Sequence, residues 1–200
     1  MGGAEHGGRE EGLLIDAQLR VGDTATPRRI PRTGTVRYVS RMASLSPYRS
    51  LPAARRVGLI AHAISHHKEA RAKFAQRLVA RGGGFRAAAV QAWPVDRLAR
   101  EVVRLSAENA TDELELLQLL YVDLEPTIQI TFLDTAGVKH ENGVIDEALE
   151  PPFAPADAVA SAVQAVHSAH GDDGLRYLHA LVRYSRDVWP GVAEQVETLG

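Results

Sequence analysis

The chain contains no cysteine, no long apolar run and few aromatic residues, and these absences exclude several classes of protein. Without cysteine there is no disulfide, no thiolate zinc site and no cysteine nucleophile, which fits a reducing compartment. No apolar run approaches the roughly 20 residues that a membrane-spanning helix needs. Residues 1–20 carry acids where a secretory signal has its basic region, and the apolar piece "LLI" is too short for a signal. We therefore expect a soluble protein of the cytoplasm that has no membrane partner.

The composition that remains is that of a globular protein with an additional segment. The 200 residues are 45% hydrophobic and 24% charged, which is ordinary for one soluble domain. Residues 1–45 are rich in glycine, proline, threonine and charge and have few apolar anchors. Such a composition buries too little apolar surface to fold by itself, and "TVRYVSR" within it gives only a weak strand signal. We predict a flexible, poorly ordered N-terminal segment over 1–45 and a single α-helical domain over 46–200.

Apolar residues at spacings of three and four predict a succession of amphipathic helices from Ser50 onward. Ser50 is the expected N-cap of the first helix, and the glycines at 82–84 are expected to end it. Its apolar face comprises Val57, Ile60, Ile64, His67, Arg71, Phe74 and Leu78. A short alanine-rich helix follows, and Pro94 then begins another that carries Leu98 and Val102. Thr111 is the expected cap of the next helix.

The last third of the chain is also predicted to be helical. "TIQITFLDTAGV" fits both a strand and a helix, and we favour a helix that ends at Gly137 because no partner strand is evident. "KHENGVIDEALEPPFAP" is predicted to be a loop with at most one helical turn. Two further helices are expected, one that ends at Gly171 and one that ends before Pro190. The predicted fold class is all-α, a compact helical bundle, since short links favour antiparallel neighbouring helices.

The net charge of −2 is the sum of a basic first half and an acidic second half of the chain. Residues 1–105 carry 19 basic and 8 acidic side chains, whereas residues 106–200 carry 4 basic and 17 acidic ones. Such asymmetry indicates that the two halves attract each other or attract different partners. We expect the basic row on the helix after Pro94 to lie near the acids that follow it in sequence. The row comprises Arg97, Arg100 and Arg104, and the nearest acids are Asp112, Glu113 and Glu115.

Three histidines in "HAISHHKEA" raise the question of a metal site. His67 lies on the apolar face, so we expect it in the core with a hydrogen-bond partner. His62 and His66 are one helical turn apart, a spacing that can place two ligands on one metal ion. A third ligand would have to come from elsewhere, and the candidates by residue type alone are His140, Glu141, His167 and His170. Because "HExxH" is absent and no third ligand is indicated, we predict neither a metal nor a cofactor.

Arginines around the glycines suggest a second possibility, the binding of phosphate. "RGGGFR" can form an anion-binding nest, but no Walker lysine or preceding strand is present, so a helix end is the favoured interpretation. The row Arg97, Arg100 and Arg104 can contact the phosphates of a nucleic acid. Few aromatic residues are interleaved with it, and solvated or paired charges are the commoner explanation of such a row.

No motif in the sequence specifies a reaction. There is no "GxSxG" and no other setting for a nucleophile. The function we expect is therefore a non-enzymatic interaction or regulatory module whose partner is a protein or a second copy of the chain. Its candidate interaction surface is the row Arg97, Arg100 and Arg104. Two alternatives stay open. The first is a metal-binding helical bundle, with or without enzymatic activity, that uses His62 and His66. The second is a nucleic-acid binder that uses the arginine row.

Overall fold

The computed structural model describes residues 46–81, 84–146 and 148–199, and the regular structure of these residues is almost entirely helical. The predicted N-terminal segment and its weak strand signal lie outside the described residues. The described helices confirm the predicted fold class, a helical bundle.

The cap of the first helix lies two residues after the predicted one, at Pro52 and not at Ser50. α1 spans Ala53–His66 and follows directly on Pro52, whose fixed φ angle suits the start of a helix. Ser50 does not cap it, because the Ser50 hydroxyl donates a hydrogen bond to the carbonyl oxygen of Pro47 at 2.7 Å.

The long apolar stripe of the sequence forms two helices rather than one. The backbone becomes extended at His67 (φ −112°, ψ 114°), and α2 then spans Ala70–Ala80. Phe74 and Leu78 of α2 are 3% and 1% exposed, as expected of core residues. His67 was predicted to be buried and is exposed, because the break in the helix removes it from the apolar stripe.

The next two helices are separated by a short loop. α3 spans Ala87–Gln91, and α4 spans Val95–Arg104 after Pro94. α4 packs closely on α1 and is strongly amphipathic. Its buried face comprises Leu98, Ala99 and Val102.

A capping box starts α5, which spans Ala110–Leu119. The cap is Asn109 and not Thr111: the backbone N–H of Asp112 donates to Asn109 Oδ1 at 2.9 Å, and the N–H of Asn109 donates to Asp112 Oδ2 at 3.0 Å. The helix continues into a π-helical turn over Leu120–Leu124. Such turns widen the helix and occur often at functional sites.

α6 spans Pro126–Ala136, which confirms the choice of a helix for this ambiguous stretch. Pro126 suits the first position because proline has no N–H, and an N–H there would have no partner within the helix. Gly137 ends the helix in the left-handed conformation (φ 71°).

The stretch that follows α6 was predicted to be a loop but contains a small hairpin. β1 (His140–Glu141) pairs antiparallel with β2 (Val144–Ile145). Asn142 and Gly143 form the turn with φ angles of 51° and 90°. Asn-Gly suits a two-residue hairpin turn because both residues tolerate positive φ angles.

α7 spans Ala156–Tyr184 with a sharp break at Gly171 (φ 53°, ψ −128°), where the helix end was expected. After the break the chain lies tightly against the preceding turn. A Cβ atom placed on Gly174 would be only 2.6 Å from the carbonyl oxygen of Val166. The chain then makes one 3₁₀ turn and ends its described part with α8, Val192–Glu197.

The core is built from two packed groups, α6 with α7 and α8, and α1 with α4. α5 joins them, because it contacts α1 and continues into the π-helical turn that contacts α6. Edge-to-face aromatic contacts hold the first group together: Phe132 lies 4.9 Å from Trp189 and 5.9 Å from Tyr177, between ring centroids. Burial raises the pKa of the Tyr177 phenol, so this ring stays neutral in the core.

Candidate interaction surface

The arginine row lies on the solvent-facing side of α4. Arg97, Arg100 and Arg104 are all exposed, opposite the buried face of the helix. Arg104 donates to Glu101 Oε2 through Nε at 2.8 Å and through Nη2 at 2.6 Å. Within the part of the chain that the structure describes, Arg97 and Arg100 form no ion pair.

Two aromatic rings adjoin the first arginine of the row. The guanidinium carbon of Arg97 lies 4.2 Å from the ring centroid of Trp93, a cation–π distance. Phe85 meets Trp93 edge to face at 5.0 Å and is 41% exposed. Arg71 holds the loop in place, since its Nη1 donates to the carbonyl oxygens of Gln91 at 2.7 Å and Trp93 at 2.9 Å. An exposed phenyl ring and two unpaired guanidinium groups therefore share one surface.

The acids expected to pair with the row are bound by other cations, so that expectation was wrong. Asp112 is buried and pairs with Lys73, whose Nζ lies 2.9 Å from Oδ1, and with Arg77. Lys73 also reaches Glu115 Oε2 at 2.5 Å. The cations come from α2 because α2, and not the outer face of α4, lies against α5. Burial lowers the pKa of the Arg77 guanidinium, while Glu115 opposes this shift.

Further pairs join the two halves at the start of α1. Arg55 binds Glu125 and also donates to Asp173 Oδ1 at 2.7 Å. Arg176 shares the same carboxylate of Asp173. Together with the pairs of α2, these contacts show that the basic and acidic halves meet inside one molecule.

A buried polar network that the sequence did not reveal fixes the segment before α1. The hydroxyl of Tyr48 donates to Glu108 Oε1 at 2.9 Å, and that of Ser46 donates to Glu113 Oε2 at 2.5 Å. Arg49 Nε donates to Glu113 Oε1 at 2.7 Å. Burial and the nearby Glu108 carboxylate raise the pKa of the Tyr48 phenol, so it stays a donor. No spacing rule predicts contacts between residues this distant in sequence.

The imidazole rings of the two histidines of α1 stack on each other and do not point their nitrogen atoms at a common position for a metal ion. The rings of His62 and His66 are 4.0 Å apart and 24° from parallel, and His66 Nδ1 donates to the carbonyl oxygen of His62 at 2.9 Å. Burial is the main cause that lowers the pKa of His62, and the positive charges of His66 and His67 lower it further. The carboxylate of Asp123 acts in the opposite direction.

The proposed third metal ligands lie elsewhere. His140 Nε2 is 3.0 Å from Asp134 Oδ1, and His170 Nε2 is 2.9 Å from Thr131 Oγ1. In the described ranges no group of three or more histidine or carboxylate side chains is placed to hold a metal ion. The structure thus brings together His62 and His66 but none of their candidate partners.

The glycine stretch follows the end of α2 directly, in agreement with the interpretation as a helix end. Gly82 and Gly83 lie outside the described residues, so the nest geometry is untested. Arg81 Nη1 donates to the carbonyl oxygen of Leu105 at 3.4 Å, which directs this arginine toward the end of α4.

Comparison of the chain with protein-family models, with curated proteins and with solved structures yields no match. None of the described helices combines the length and apolar character needed to cross a membrane.

Proposed function

We propose that this protein is a non-enzymatic interaction module of the cytoplasm. In this proposal the α4 surface, defined as Phe85, Trp93, Arg97, Arg100 and Arg104, binds an acidic segment of a partner protein. The observation that carries the proposal is that Arg97 and Arg100 have no ion pair in the described ranges although the chain is rich in acids. The acids that follow α4 are already bound, Asp112 and Glu115 to α2 and Glu113 to Arg49, so the row is left for an external anion.

The shape and chemistry of the surface favour a peptide. Three arginines at positions 97, 100 and 104 cover about 10 Å of one helix face, since each residue rises about 1.5 Å. Phe85 supplies an apolar contact at one end, and aromatic and arginine side chains are the groups that most often dominate protein interfaces. An acidic peptide with an apolar side chain matches this arrangement.

Nucleic acid is the less favoured partner. Asp96 and Glu101 lie on α4 itself, and Glu101 already neutralises Arg104. The net charge of −2 and the acidic second half repel a polyanion at long range. A duplex-binding protein would instead present a broader basic face and several phosphate contacts.

Fluorescence anisotropy with a labelled peptide of alternating glutamate and leucine tests the proposal, with a duplex DNA as the competing probe. We expect saturable peptide binding that the double variant Arg97→Ala/Arg100→Ala weakens about tenfold, equivalent to about 1.4 kcal/mol. The matched control is Arg183→Ala/Arg186→Ala, which removes two exposed arginines of the acidic half and should leave binding unchanged.

Two results would overturn the proposal. Equal weakening by both double variants would show that only net charge matters. Tighter binding of DNA than of peptide, with a steep salt dependence that Arg97→Ala/Arg100→Ala reduces, would establish the nucleic-acid alternative. Sedimentation at low and physiological salt distinguishes self-association, because an assembly held by exposed charges dissociates as salt rises.

A further inference from the structure

A cavity of about 340 Å³ lies between the beginning of α2 and the face of α5 that turns toward it. Its volume falls at the lower end of the range for small-molecule sites, about 300–1,000 Å³. The floor is apolar and is formed by Ala63, Phe74, Leu116 and Leu119, all of which are buried. A floor of this kind contacts hydrocarbon favourably and offers little to a hydrated inorganic ion.

The rim of the cavity is acidic. Glu69, Glu115 and Asp123 line it, together with the imidazole of His67 and a single ammonium group, that of Lys73. Lys73 is already bound to Glu115 Oε2 at 2.5 Å and to a buried carboxylate of α5. Among the described residues, neither Glu69 nor Asp123 forms an ion pair. Two negative charges from different elements therefore remain uncompensated above an apolar floor.

We propose that this cavity binds a small aliphatic dication, a diamine or a short polyamine. Its methylene chain would lie on Phe74, Leu116 and Leu119, as the stems of lysine side chains lie on apolar surfaces while their charged ends stay at the rim. Its ammonium groups would face Glu69 and Asp123. A charge of +2 balances the lining, since three carboxylates face one ammonium group. This site is independent of the α4 surface and shares no residue with it.

Titration calorimetry of the full-length protein with 1,5-diaminopentane and with spermidine tests the proposal at low salt. Pentylamine and Mg²⁺ serve as the singly charged and the purely ionic comparison. We expect one saturable site for the diamine, with weaker binding of both comparison compounds. Glu69→Gln/Asp123→Asn should weaken diamine binding about tenfold, because the two ion pairs at the exposed rim are lost.

Two further variants keep the result specific. Glu141→Gln/Glu150→Gln removes the same charge from exposed positions outside the cavity lining and should leave diamine binding unchanged. Ala70→Leu adds volume in the cavity at an existing helical position and should abolish binding of the diamine without lowering the melting temperature.

Any of the following outcomes would overturn the proposal. The wild-type protein would show no saturable binding of either polyamine, or Mg²⁺ would bind as tightly as the diamine, which would indicate a simple acidic cluster. Alternatively, both charge variants would weaken binding equally, or Ala70→Leu would leave binding unchanged. A result in which only lysine-bearing peptides and no free diamine bind would likewise replace the small-molecule site with a protein contact.

Discussion

The buried carboxylate of Asp112 provides the sharpest test of how the two halves are held together. Its side chain is only 1% exposed, and it meets Lys73 Nζ at 2.9 Å, Arg77, and the backbone N–H of Asn109 at 3.0 Å. Asp112→Asn keeps a side-chain oxygen for the cap, removes the charge and replaces the other oxygen by an amide NH2 that cannot accept from Lys73. Removing one partner of a fully buried ion pair costs about 3–5 kcal/mol, because the other charge is left uncompensated. Because both cations are a quarter to a third exposed and can be hydrated, we expect a loss of about 1.5–2 kcal/mol.

Urea unfolding measures this loss, with an unchanged m-value as the sign that only stability has changed. Asp112→Ala also removes the acceptor of the cap, so it should lower the free energy of unfolding by about 1 kcal/mol more. The control is Glu194→Gln, because Glu194 forms an exposed pair with Arg186 at 3.7 Å that should contribute about 0–1 kcal/mol. If Asp112→Asn loses less than about 0.5 kcal/mol, the usual range of surface substitutions, the buried pair does not stabilise the fold and the reasoning is wrong.

Four other predictions concern the core, the backbone and the histidines. Phe74→Ala should destabilise the fold by about 3–5 kcal/mol in the same assay, and an unchanged midpoint would contradict its burial. Gly174→Ala forces a Cβ to within 2.6 Å of a carbonyl and should lower stability by about 1–3 kcal/mol, whereas Gly58→Ala, with open space around its Cβ, should raise it by about 0.5–1 kcal/mol. Burial lowers the pKa of His179, so below about pH 6.5 the unfolded chain takes up a proton that the folded chain resists. Stability should therefore fall as the pH falls from that point, and His179→Gln should flatten the decline in thermal melts. Elemental analysis of the untagged protein should find no stoichiometric zinc, iron or manganese, and one such ion per chain that His62→Ala removes would restore the metalloprotein alternative.

The sequence predicts best what depends on neighbouring residues. Apolar spacing places Phe74 and Leu78 in the core, and the glycines at 137 and 171 occupy the positive-φ positions at which helices end or break. Asn142 and Gly143 carry an equally local signal, and the hairpin could have been predicted from it. These features need no knowledge of tertiary contacts.

What the sequence did not predict depends on packing. The apolar stripe was interrupted by His67 and Arg71, but periodicity alone did not show that the helix ends there and that the chain changes direction. The partners of Asp112 and Glu113 were misassigned for the same reason: nearness in sequence favoured α4, but α2 and the segment before α1 lie against α5. The cavity beside α5 likewise arises from residues on α1, α2, α5 and the π-helical turn.

The polar contacts of Ser46 and Tyr48 mean that the folded unit begins before its first helix. A chain shortened to start at Ala53 would contain every described helix yet leave the carboxylates of Glu108 and Glu113 buried without these hydroxyl donors. Each unsatisfied buried group costs about 1–3 kcal/mol, a large part of a domain's stability. Residues 46–52 thus supply hydrogen-bond donors to the buried carboxylates of the acidic half, although they belong by sequence to the basic half. A dissection of this protein into fragments at its helix boundaries would therefore separate an acceptor from its donor.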